Sequence, residues 1–154
     1  MFRRILCGTD FSETAEAAWT TACELARTLH ADVILTHVFI ALPVYPDVAV
    51  IEVQRLWEEQ RAWVENTLTE RAHAATGRGL NARWILKTGT APESIVEAAT
   101  EEHADLIVIG THGRTGLTRL VIGSVAERVV RHAPCAVLTV KPTPVAAAAA
   151  RPAA

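Results

Sequence analysis

The sequence predicts an α/β protein, a single open five-stranded parallel sheet with helices on both faces. Three observations predict it. Short runs of Val, Ile and Leu alternate with longer segments whose apolar residues recur every three or four positions, giving the order βαβαβαβ-loop-αβ. The run at 105–109, Asp-Leu-Ile-Val-Ile, is almost wholly apolar, as a central strand covered on both faces must be. Each strand-like run is joined to the next through a helical segment, which leaves room for the crossover that parallel pairing requires.

The first strand spans residues 3–9 and is ended by Asp10-Phe11-Ser12. Ser12 is placed to cap a helix whose first turn carries Glu13 and whose apolar stripe is Ala15, Ala18, Trp19, Ala22, Leu25, Ala26 and Leu29. The second strand, 33–39, leads into a loop over 41–47 in which Pro43 and Pro46 prevent regular structure. A second helix sets Val53, Leu56, Trp57, Trp63, Val64, Leu68 and Ala72 on its inner side and stops at Gly77-Arg78-Gly79. The third strand covers 81–88. Pro92, near a first helical position, then opens a helix over 93–103. The fourth strand is 105–109, the last helix 124–132, and the fifth strand, after Pro134, 135–140. Residues 1–141 thus form one domain, and the Pro- and Ala-rich 142–154 read as a disordered tail.

Composition narrows the function. A chain of 154 residues, 50% hydrophobic, suits one domain with a substantial core. A net charge of -2 without a basic run argues against nucleic-acid binding. No segment approaches the ~20 apolar residues that span a bilayer, and the N-terminal run, broken by Asp10, is not a signal peptide. Cys7, Cys23 and Cys135 are odd in number and lie in apolar stretches, so they read as buried thiols in a reducing cytoplasm. The six histidines lack i,i+4 pairing with one another, which predicts no metal site built by the protein. Trp19, Trp57, Trp63 and Trp84 sit at apolar positions and are assigned to the core.

The functional signal lies in residues 110–124, GTHGRTGLTRLVIGS, between the fourth strand and the last helix. In open α/β sheets ligands sit outside the carboxyl ends of the strands. Glycines let the backbone approach an anion, and a helix beginning near Ser124 adds orphan N–H donors and the positive end of its dipole. A phosphate group is the ligand these suit. Ser124-Val125-Ala126-Glu127 is also a good capping box, so a purely structural turn is the competing reading. The segment matches neither the P-loop nor the Gly-x-Gly-x-x-Gly pattern.

The spacing Gly110-x2-Gly113-x9-Gly123-Ser124 resembles the ATP-binding motif of the universal stress protein family. The resemblance extends from Arg3-Arg4-Ile5-Leu6 through Thr9-Asp10-Phe11-Ser12 to Ala133-Pro134-Cys135-Ala136-Val137-Leu138. It implies a Rossmann-like sheet in the order 3-2-1-4-5, with Asp10 and Gly110 flanking one crevice. It further implies that Gly110, Gly113 and the Gly123-Ser124-Val125 turn cradle phosphates and ribose. Ile109 would pack on the nucleotide, Gly8, Thr9 and Asp10 would line the opposite wall, and Val38 would reach adenine. Asp10 has turning and capping the chain as its alternative role. Arg114 and Arg119 are candidates for neutralising phosphate charge, and Mg2+ would be held by the phosphates themselves. The implied function is an ATP-dependent stress-response or regulatory protein, not a dedicated enzyme, and a homodimer through the edge strand at 136–140. The alternatives are a slow ATPase and a dimeric interaction module that needs no nucleotide.

Overall fold

A computed structural model describes residues 1–40, 50–111 and 123–141, with the side chains of residues 50–52 excepted. The strands are β1 (Arg4–Gly8), β2 (Asp32–Phe39), β3 (Ala82–Thr88), β4 (Leu106–Gly110) and β5 (Ala136–Val140). The helices are α1 (Glu13–Leu29), α2 (Val50–Thr76), α3 (Ala91–Glu101) and α4 (Ser124–His132). All five strands are parallel, in the order β3-β2-β1-β4-β5. The direction of winding therefore reverses between β1 and β4, whose carboxyl ends open on the same side.

Alternate residues of the central strands enter two separate cores. Ile5, Cys7, Val33, Leu35 and Val108 face α1 and α2, meeting Ala18, Ala22, Ala26, Val64 and Leu68. Leu6, Ile34, Ile107 and Ile109 face α3 and α4, meeting Ile95, Ala98, Ala126 and Val129. Burial on both faces is why these strands read as continuous apolar runs. The alanine stripe of α1 brings that helix close to the sheet. A Cβ built on Gly110 would lie 2.8 Å from Thr14 Cγ2 and 3.1 Å from the Thr14 backbone carbon.

Ser12 caps α1 as expected, its hydroxyl accepting from the Ala15 N–H at 3.2 Å. Several expectations need correction. On α2 the inner face is Val64, Leu68, Ala72 and Ala75, and Trp63 and Leu56 are exposed instead of buried, at 53% and 61%. Trp63 precedes Val64 and is turned about 100° away from it around the helix. The third helix begins two residues earlier than its spacing predicts, with Pro92 inside its first turn, and ends before the left-handed His103 (φ 51°). Ser124 is not a cap. Gly123 takes that position with no side-chain hydrogen bond, and Glu127 pairs with Arg131 at 3.0 Å, so the predicted capping box does not form. The tail at 142–154 and the proline loop at 41–47 lie outside the described residues. Among the described residues no helix is long and apolar enough to cross a membrane.

Candidate functional site

The carboxyl ends of β1, β2 and β4, with the start of α4, enclose a cleft of about 560 Å³. Nine residues singled out in the sequence line it: Gly8, Thr9, Asp10, Val38, Ile109, Gly110, Gly123, Ser124 and Val125. Gly113 and Arg114 lie outside the described residues, as does Arg119.

The β1 side of the cleft is a strained but well-tied turn. Thr9 N–H donates to the Thr36 carbonyl at 2.9 Å, prolonging the β1–β2 ladder by one residue. Asp10 Oδ1 accepts from the Ser12 amide at 3.0 Å and the Ser12 hydroxyl at 2.6 Å. The hydroxyl hydrogen is thereby directed to Asp10, which leaves the Ser12 oxygen lone pairs for the amide of Ala15. Asp10 thus performs the turning and capping role that was its structural alternative. Between them, Phe11 adopts the left-handed conformation (φ 62°), costing a non-glycine residue about 1–2 kcal/mol. Its N–H donates to Thr9 Oγ1 at 3.0 Å. Its ring stacks on His37 with centroids 4.7 Å apart, meets the edge of Trp63 at 5.2 Å, and lies 5.0 Å below the Arg71 guanidinium. Arg71 is in turn held by Glu16.

His37 Nδ1 is 2.8 Å from the Thr9 carbonyl, and a carbonyl can only accept, so Nδ1 carries the hydrogen. Sequence reasoning did not assign Phe11, Thr36, His37, Gln60, Trp63 or Ile95 to the site, yet all line the cleft. The exposed Trp63 and Gln60, three residues apart on α2, form its outer wall. The Trp63 signal was an aromatic residue immediately beside the core stripe, which periodicity counts as part of that stripe.

The β4 side supplies the backbone groups. Thr111 N–H donates to the Val140 carbonyl at 2.8 Å, and the Thr111 carbonyl accepts from Gly123 N–H at 2.7 Å. Gly123 N–H is therefore engaged within the protein. The next three amides, of Ser124, Val125 and Ala126, open α4 at the cleft wall and lack intrahelical partners, because the Gly123 carbonyl bonds first to Glu127 N–H. With no Lys or Arg among the described lining residues, these amides and the α4 dipole supply their positive potential.

Outside the cleft, Glu93 at the start of α3 bonds Thr90 and pairs with Arg128 of α4, bracing the two helices. The Thr90 hydroxyl first, then the Glu93 backbone N–H, and after these the Arg128 guanidinium hold the Glu93 carboxyl below the usual carboxylate range. The three cysteines are free thiols. Burial pushes the Cys7 thiol far above its ordinary value of 9.0. Cys23 is pushed up to about 11, by burial first, with Arg78 opposing, and burial also raises Cys135. All three are therefore protonated, weak nucleophiles near neutral pH.

Strand order and winding reversal make the molecule a doubly wound α/β domain, with its cleft at the switch point of the sheet. The chain belongs to the universal stress protein family, whose sequence pattern matches residues 1–141. It is 34% identical over 146 residues to universal stress protein MJ0531 of Methanocaldococcus jannaschii, covering 92% of this chain and 83% of that one. Among solved structures it is similar to the universal stress protein UspA from Lactobacillus plantarum. That likeness has a TM-score of 0.80 and 25% identity, over 90% of this chain and 97% of that chain. It is also similar in fold to the universal stress protein from Archaeoglobus fulgidus solved in complex with dAMP, with a TM-score of 0.61 and 24% identity. The match covers 92% of this chain and 98% of that one.

Proposed function

We propose that this chain is an adenine-nucleotide-binding regulatory protein, with ATP as its ligand, that acts by binding and not by turnover. One observation carries the reading. A single cleft joins an apolar end, walled by Val38, Ile95 and Ile109, to the first-turn amides of α4, which have no intrahelical partners. The first end suits a heterocycle and the second an anion, and about 560 Å³ lies within the usual range for small-molecule sites. The dAMP complex of the Archaeoglobus relative supports the choice of an adenine nucleotide.

In this reading the base rests between Val38 and Ile109, and the ribose lies near Gly8, Thr9 and Asp10. The phosphates run past Gly110 toward Gly123, Ser124 and Val125. Gly113 and Arg114 join them by family resemblance. A Mg2+ ion would take its ligands chiefly from the phosphates. The engagement of Asp10 with Ser12 favours binding over general-base chemistry.

Mass spectrometry of small molecules released from freshly purified protein is expected to show an adenine nucleotide, and calorimetry to give a micromolar ATP affinity. No released nucleotide and no affinity below millimolar would remove the reading.

The same regulatory reading includes a homodimer in a reducing cytoplasm. Among the described residues β5 is an edge strand paired with β4, and Leu138 is 36% exposed along it. Pairing with a second copy would cover the outer edge of this strand. Light scattering at tens of micromolar is expected to report a dimer, and Leu138→Lys a monomer. A monomeric parent protein contradicts this arrangement.

A further inference from the structure

Thr36 carries the buried side-chain polar atom that lacks any hydrogen-bond partner among the described residues, its Oγ1, and the residue is only 1% exposed. Such groups are rare in folded proteins because an unbonded buried hydroxyl destabilises the fold. Its same-face neighbours along β2, Ile34 and Val38, are both aliphatic. A valine at 36 would fill the same volume without the orphan.

Its location gives the reason. In β2, Thr36 lies between Ile34 and Val38 on the face turned toward α3 and α4. Its register partner across the β1–β2 ladder is Gly8. Partners in adjacent parallel strands project to the same face. A Cβ on Gly8 would lie 3.3 Å from Ile95 Cδ1 and 3.7 Å from Ile109 Cδ1, so this face is the apolar floor of the cleft. Gly8 and Thr36 both line the cleft.

We infer that the Thr36 hydroxyl is a ligand contact at the floor of the cleft, hydrogen-bonding the polar edge of the heterocyclic base. The inference rests on the nucleotide reading above and adds a side chain that selects what enters the apolar end. A phosphate is the wrong partner here. No Lys or Arg lines the described cleft, and an anion buried against Ile95 and Ile109 would lose its hydration without a counter-ion. A flat heterocycle fits the apolar walls and offers ring nitrogens and exocyclic N–H groups, and a hydroxyl can donate to the first or accept from the second. Rotation of χ1 toward the ligand breaks no hydrogen bond among the described residues.

The test is calorimetry on the full chain with ATP and with inorganic tripolyphosphate, using Thr36→Val and Thr36→Ser. Thr36→Val keeps the shape and removes the hydroxyl, and its ATP affinity is expected to fall about tenfold. Thr36→Ser stays within twofold of the parent, and tripolyphosphate affinity is unchanged in both. Without ligand, Thr36→Val melts at or above the parent temperature, because it removes an unbonded polar group. Equal ATP affinity in Thr36→Val overturns the inference alone, as does an equal loss for tripolyphosphate or a clear drop in ligand-free melting temperature. A parent protein that binds no ATP overturns the nucleotide reading and this inference with it.

Discussion

Gly110→Val is expected to destabilise the domain by about 3 kcal/mol or more, whatever ligand is present. The first atom of any side chain at 110 meets Thr14 Cγ2 at 2.8 Å, and behind it the Thr14 backbone carbon and oxygen at 3.1 and 3.2 Å. A side chain can rotate away, but the backbone of α1 is anchored by Ala15, Ala18 and Ala22 in the core and cannot. Urea denaturation followed by circular dichroism measures the loss. Gly77→Ala is the control, since its nearest contacts, 3.5 and 3.7 Å, are ordinary. Gly110→Ala combined with Thr14→Ser should recover only part of the loss, because the serine removes the methyl and leaves the main chain in place. A Gly110→Val protein as stable as the parent would show that α1 does not pack against β4 as described. The first glycine of the motif is thus required by helix packing before any ligand is considered.

Ser124→Asp is expected to move affinity and stability in opposite directions. Ser124 is exposed at the first position of α4 and lines the cleft. A carboxylate there interacts favourably with the helix dipole, adding about 0.3–1 kcal/mol to stability. Toward a polyphosphate it acts as a like charge. At roughly 4 Å and an effective dielectric of about 20, each charge pair opposes binding by about 4 kcal/mol. Even after screening, ATP affinity should fall more than a hundredfold, while the melting temperature holds or rises. Calorimetry and thermal denaturation read the two effects, and Ser124→Asn supplies the neutral isostere, expected within a few fold of the parent. ATP bound by Ser124→Asp as tightly as by the parent would mean that the phosphates do not lie at α4.

Much of this arrangement was legible from local pattern. The apolar run at 106–109 and the glycine segment after it located the cleft, because burial on both faces and a strand-to-helix turn leave one-dimensional signatures. Ser12 read correctly as a cap because capping is decided within three residues of chain. The misreadings have a common cause. Ser124 looked like a cap by composition, but Gly123, tied to Thr111 by its own N–H, holds that position. Trp63 fitted the apolar stripe of its helix within one position. Its 53% exposure followed from which side of α2 met the sheet.

The amino-acid order alone determined the alternation of strands and helices, the parallel sheet and the placement of a glycine turn after β4, since these rest on periodicity and nearest-neighbour chemistry. Tertiary structure decided what each site residue meets: Gly110 against Thr14, Phe11 held left-handed under His37 and Arg71, Thr36 laid beside Gly8 with its hydroxyl unbonded among the described residues. Those partners are separated by tens of residues in the chain or by a strand register, and only the folded sheet brings them within bonding distance.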